Sequence, residues 1–198
     1  MFRPYALKVI DPRVIMNFAE KLAGTYLRLN GFLVLPNFTV FGEAQHNHVD
    51  LIGFRAPNSK EIVEGKLLPI DGKLFKAIST LWDKRDPTKE PLGIAVEVRT
   101  NKKRDVPTES HIRYVGEFLG RVPVWRIAFY EGRHAIELHE DTIHVGLRYA
   151  GLWIQRRIDW MLKQKFKLNK TGSWAWSEPF LSDYLAMYQL GLLTDKRD

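Results

Sequence analysis

The chain reads as an α/β domain followed by a helical C-terminal segment. Three observations carry that expectation. Apolar residues at helical spacing run from Ile15 through Phe18, Leu22 and Tyr26 to Leu29. Two segments, "NHVDLIGFR" (47–55) and "GIAVEVR" (93–99), have the alternation and β-branched content of strands. From Asp141 onward, "VGLRYAGLWIQRRIDWMLKQKFKL" and "PFLSDYLAMYQLGLL" return to helical spacing.

Each element follows from local signals. Asp11-Pro12 looks like an N-cap with proline at the first helical position, and Asn30-Gly31 stops that helix. "FLVLPNFTVFG" should be extended, with Pro36 marking an edge or a bend. In the strand at 47–55, Val49, Leu51 and Gly53 share one face; Asp50, Ile52 and Phe54 share the other. "EIVEGKLL" is compatible with a strand and "DGKLFKAISTLWDKR" with a helix, Phe75, Ile78 and Leu81 lying along one side. In "GIAVEVR", Ile94, Val96 and Val98 face one way and Ala95, Glu97 and Arg99 the other. "TNKKRDVP" is a basic loop, after which Thr108 caps a helix "ESHIRYVGEFLG"; His111 stands where a capping box wants Glu or Gln. "VPVWRIAFY" and "HAIELHE" have the pattern of a hairpin around Glu131-Gly132.

Composition sets the outer bounds. The chain has 198 residues, 45% of them apolar and 27% charged, enough for a core and ordinary for a globular protein. There is no cysteine, which excludes disulfides, thiolate metal sites and cysteine nucleophiles. No apolar run suits a membrane span and the N-terminus lacks the features of a secretory signal, so a cytoplasmic location is expected. With that location, the sequons at Asn37 and Asn169 have no assigned role. Thirty basic against 23 acidic residues leave +7, a balance that favours a polyanionic partner. No phosphate-binding glycine loop, nucleophile elbow or dinucleotide fingerprint is present.

Three carboxylates stand out from this framework: Glu20 inside the first helix, Asp50 in the strand after it, and Glu97 in mid-strand two residues before Arg99. A buried carboxylate needs a partner, a cation or a metal. Two carboxylates on adjacent strands can hold a hard divalent cation through oxygen ligands. The order helix with Glu, strand with "VDLIGF", strand with "AVEVR", then helix and strand resembles the PD-(D/E)XK, or restriction-endonuclease-like, superfamily over roughly residues 11 to 140. The resemblance implies a mixed central sheet flanked by helices over residues 1–140, with 141–198 as a C-terminal helical extension packed on that core. It also implies a metal-dependent nuclease that hydrolyses phosphodiester bonds with Mg²⁺ or Mn²⁺, acting on DNA more than RNA; a homodimer is compatible with it. Asp50 and Glu97 match the family's metal-binding acids, Glu20 its helix glutamate, and Arg99 falls where the family has lysine. Arginine stays protonated, so it can stabilise a phosphate but is a poor base. Lys102, Lys103 and Arg104, at the mouth of such a site, are the expected nucleic-acid contacts.

Several alternatives stand beside that reading. Glu64-Gly65-Lys66 offers an intact Glu-x-Lys one short hairpin after Asp50, though the opposite face of that segment is a poorer core surface. The arginine substitution also fits a catalytically inactive member of the fold that binds nucleic acid or protein as a scaffold. Asp50 can pair with Arg55, Glu97 can join a surface ladder, and Glu20 can be a solvated helix residue. His46 and His48, on the Asp50 face, have the spacing of a transition-metal pair. The basic run from Arg156 to Lys170 is a candidate DNA track, with Trp160 and Phe166 belonging to the core.

Overall fold

A computed structural model describes residues 18–41, 46–59, 62–63, 66–100, 106–131 and 135–163. The start proposed at Asp11-Pro12, Ile15, Glu64, Lys102, Lys103, Arg104 and the segment from 164 lie outside them.

The described chain is α/β. Four helices, α1 (Phe18–Leu29), α2 (Gly72–Leu81), α3 (Glu109–Phe118) and α4 (Leu147–Lys163), flank a six-stranded mixed sheet. Its strands are β1 (Leu33–Phe41), β2 (His46–Arg55), β5 (Leu92–Arg99), β6 (Val124–Tyr130), β7 (Ile136–His139) and β8 (Thr142–Gly146), in the order β1-β2-β5-β6-β8-β7. β3 (Ile62–Val63) and β4 (Lys66–Leu67) form a separate two-stranded hairpin. The β5-β6 and β6-β8 pairs are parallel, while β1-β2, β2-β5 and β7-β8 are antiparallel.

Helix α1 ends where Asn30-Gly31 predicts; Gly31 has φ 85, and a side chain there would crowd Arg55 at 3.3 Å. Its buried side, from Ala19 to Leu29, packs with α2, α4 and Ile94, Val96 and Val98 of β5 in the larger core. Helix α3 covers the opposite face, where Val115 meets Ala95, Val49 and Ile52. Ile94, Val96 and Val98 therefore separate from Ala95 as the alternation predicts.

Two expectations need correction. β6 and β7 do not pair as a hairpin: β8 lies between them, parallel to β6 and antiparallel to β7, with the turn at Glu140 (φ 53). The segment after Asp141 also opens with a strand before its helix, so the sheet takes in residues 142–146. Sequence-local patterning favours neighbours in the chain, whereas a parallel pairing across an intervening strand has no local signature.

Candidate active site

Pairing between β2 and β5 runs from Arg55–Leu92 to Leu51–Val96 and stops there. The next position in that register sets Asp50 directly opposite Glu97. Beyond this point β2 stays with β1 as far as His46, and β5 stays with β6 as far as Arg99. The sheet thus forks, and the two acids stand at the crotch, Asp50 7% and Glu97 3% exposed.

Asp50 fills part of the gap. In a continued ladder the Val98 N–H would meet β2 main chain; instead it donates to Asp50 Oδ2 at 2.7 Å. Arg99 Nη1 reaches the same oxygen at 3.2 Å, and Arg99 Nη2 lies 2.7 Å from Glu97 Oε2. One guanidinium therefore bridges both carboxylates. Two buried like charges facing each other across a strand pair repel, and the Arg99 guanidinium between them offsets that repulsion. The suggested Asp50–Arg55 pairing does not form. Arg55 is buried at the other end of β2 and donates to the carbonyls of Asn30, Thr88 and Ser59.

The strand alternation proposed for Asp50 also needs correction. Val49 packs with Ile52 on the α3 side, while Leu51 packs on the α1 side. The face changes at Asp50, whose carboxylate points across the fork rather than with Ile52.

Glu20 occupies the first turn of α1, half-buried, in the helix whose apolar side packs on Val96 and Val98. Of the expected set, Asp50, Glu97 and Arg99 are brought together by direct contacts. Lys66 of the alternative register is exposed in the separate hairpin, and it is β5 that pairs with β2 beside Asp50.

His48 Nε2 lies 4.0 Å from Asp50 Oδ1, its side chain half-exposed; His46 belongs to β2 by its main chain. Facing it from α3, His111 does what its position seemed to forbid. Its Nδ1 accepts from Thr108 N at 3.2 Å while Thr108 Oγ1 accepts from His111 N, completing a capping box. Burial, and secondarily the nearby His48, hold the His111 pKa below the ordinary value, which keeps Nδ1 an acceptor.

The basic stretch of α4 divides. Arg156 is exposed, but Arg157 is buried and donates to the carbonyls of Leu29 and Pro69, so it ties α4 to α1 and to the approach to α2. Trp160 packs on Leu68 and Met161, as a core residue should.

A third buried carboxylate, Asp71, escaped sequence reasoning. Asp71 accepts from Tyr26 Oη (2.6 Å), Tyr149 Oη (2.9 Å) and Lys73 N (3.0 Å), and caps α2. The signal for it was "IDGK", an acid immediately before an apolar-periodic run.

Among the described residues, no group of three or more His, Asp or Glu side chains converges as a metal cage, and no helix is long and apolar enough to cross a membrane. No protein family, no curated protein and no solved structure matches the chain.

Proposed function

We propose that the chain is a restriction-endonuclease-like, Mg²⁺- or Mn²⁺-dependent nuclease that hydrolyses phosphodiester bonds in nucleic acid, DNA in preference to RNA. The observation that carries this reading is the meeting of Asp50 and Glu97 across the fork with a single guanidinium between them. The donor set suits Mg²⁺, which takes one or two carboxylates and completes its shell with water and substrate phosphate oxygens rather than with an all-protein cage. Asp50 and Glu97 would hold the ion. When bound, it supplies Lewis-acid polarisation of the phosphate and a more acidic water.

The remaining work belongs to the chain. The Val98 N–H fixes the Asp50 carboxylate by a hydrogen bond that does not depend on the ion. Arg99, a third exposed, is anchored at one end by the Val98 carbonyl and can turn its fork from the carboxylates to a phosphate. Because arginine keeps its proton, its part is charge stabilisation and not water deprotonation. Lys102, Lys103 and Arg104 follow β5 directly and supply the charge that draws a polyanion towards the fork.

The bridging guanidinium also favours a second reading, a scaffold in which Arg99 permanently takes the place of the ion and the protein binds nucleic acid without cutting it. Incubation of single- and double-stranded DNA, and of RNA, with Mg²⁺ or Mn²⁺ separates the two. The nuclease reading expects cleavage by the wild type and none by Asp50→Ala. Binding without cleavage under either metal would establish the scaffold instead.

A further inference from the structure

The sheet is interrupted at Asp50 on both sides, and the second interruption lies in β1. Pairing of β1 with β2 runs from Leu33–Phe54 to Pro36–Leu51 and resumes from Phe38–Val49 to Phe41–His46 in unchanged register. The missing rung is Asn37 opposite Asp50. Asn37 has φ 54, a left-handed conformation in the middle of a strand, and it follows a proline that has no N–H to give. Core packing records the consequence. Val34 belongs to the α1 side, whereas Phe38, four residues on, packs with its ring tilted against Phe118 of α3, centroids 4.9 Å apart. Even-numbered residues of an unbroken strand would share a face. Leu51 and Val49 of β2 divide between the faces at the same level.

We infer that Asn37 is a positioning residue for the candidate site: its left-handed main chain rolls β1 and β2 together by one face and so aims the Asp50 carboxylate sideways, onto Val98 N and towards Glu97. Asparagine is suited to this task, because it enters the left-handed region more readily than other residues bearing a Cβ, and Pro36-Asn37 is a turn-like pair set inside an extended run. With a regular residue at 37 the missing rung would close, and Asp50 would take its place on the Ile52 face.

The activity arm of the test rests on the nuclease reading; the structural arm does not. Asn37→Gly retains the left-handed backbone, and Asn37→Val, β-branched, opposes it; Asn37→Ala opposes it more gently if the valine variant fails to fold. The Val98 amide resonance and its hydrogen-exchange protection report the bond to Asp50, and kcat for DNA cleavage with Mg²⁺ reports the site. The expected result is a wild-type-like Val98 amide and kcat in Asn37→Gly. In Asn37→Val or Asn37→Ala the amide should shift and kcat fall by about a hundredfold with KM little altered, the usual cost of an ångström-scale misplacement. An unchanged Val98 amide in the valine or alanine variant would overturn the inference. Equal damage from glycine would overturn it too, since the side-chain amide rather than the backbone would then be acting. If the wild type cuts no nucleic acid, the nuclease reading fails alone and the Val98 amide still decides the role of Asn37.

Discussion

Two aspartates of this protein are buried almost equally, and they are held in opposite ways. Asp71, 3% exposed, accepts among the described residues from neutral donors: two tyrosine hydroxyls and a main-chain amide at the start of α2. Its own N–H donates to Asn30 Oδ1 at 2.6 Å, and Asn30 Nδ2 donates back to Tyr26 O, so the network closes on itself. Its negative charge sits at a helix N-terminus, where the dipole favours it. Asp50, 7% exposed, accepts from the Val98 N–H but also faces a second carboxylate, with a partly exposed guanidinium bridging the two. A carboxylate satisfied by fixed neutral donors has nothing left to offer a ligand. One that shares an exchangeable cation with a like-charged neighbour has. Burial alone does not separate architecture from function; the chemistry of the partners does.

The comparison can be broken most sharply at Asp71. Asp71→Ala removes a helix cap and leaves two buried hydroxyls without an acceptor, so unfolding free energy from urea titration should fall by about 2–4 kcal/mol, with the Asp50 cluster intact. Next comes Arg99→Ala, which strips the counter-charge from two facing carboxylates. We expect a loss of about 1–3 kcal/mol in chelator, largely recovered on adding Mg²⁺; absence of that recovery would count against an ion site between the acids. Asp50→Asn should change stability by less than about 1 kcal/mol, because it relieves repulsion while keeping an acceptor for Val98 N, yet it should abolish metal-dependent cleavage.

The smallest effect lies in the pH profile. His111 has a folded pKa below its ordinary 6.5. Its contribution is fully present above that value and lost as pH falls through the folded pKa, where the unfolded chain binds the extra proton. His111→Gln, which keeps the capping box, should flatten this acid limb in urea titrations repeated across pH. At the alkaline end the Asp71 network sets the sign. Burial, and then the Asp71 carboxylate, raise the Tyr26 and Tyr149 hydroxyls above 10.0. Their contribution is present below 10.0 and lost as pH rises through the folded values, and Asp71→Ala should weaken that dependence.

What was legible in the sequence follows physical range. The α/β class, the end of α1 at Asn30-Gly31, the Thr108 cap and the faces of β5 rest on contacts within a few residues, and they are visible as periodicity and capping chemistry. The bringing together of Asp50 and Glu97 was legible as well, because two apolar strands that each carry an acid leave few ways to satisfy both. The placement of β8 between β6 and β7 was not, since it depends on pairing over distance. Arg55 and Arg157 were misjudged for a related reason. A basic residue in a helix or strand looks solvated until main-chain carbonyls from other elements close around it. Asn37 left a trace, Pro-Asn inside an extended run, but its meaning required knowing which residue lies across the strand.

The central claim is that Asp50 and Glu97 share a divalent ion at the fork. Thermal unfolding of the wild type and Asp50→Asn across Mg²⁺ and Mn²⁺ titrations tests it most directly. The account expects the wild-type melting temperature to rise with ion concentration, by about 5–10 °C at a hundredfold excess over Kd, and that of Asp50→Asn to stay flat. Equal shifts in both proteins, or none in either, would contradict it.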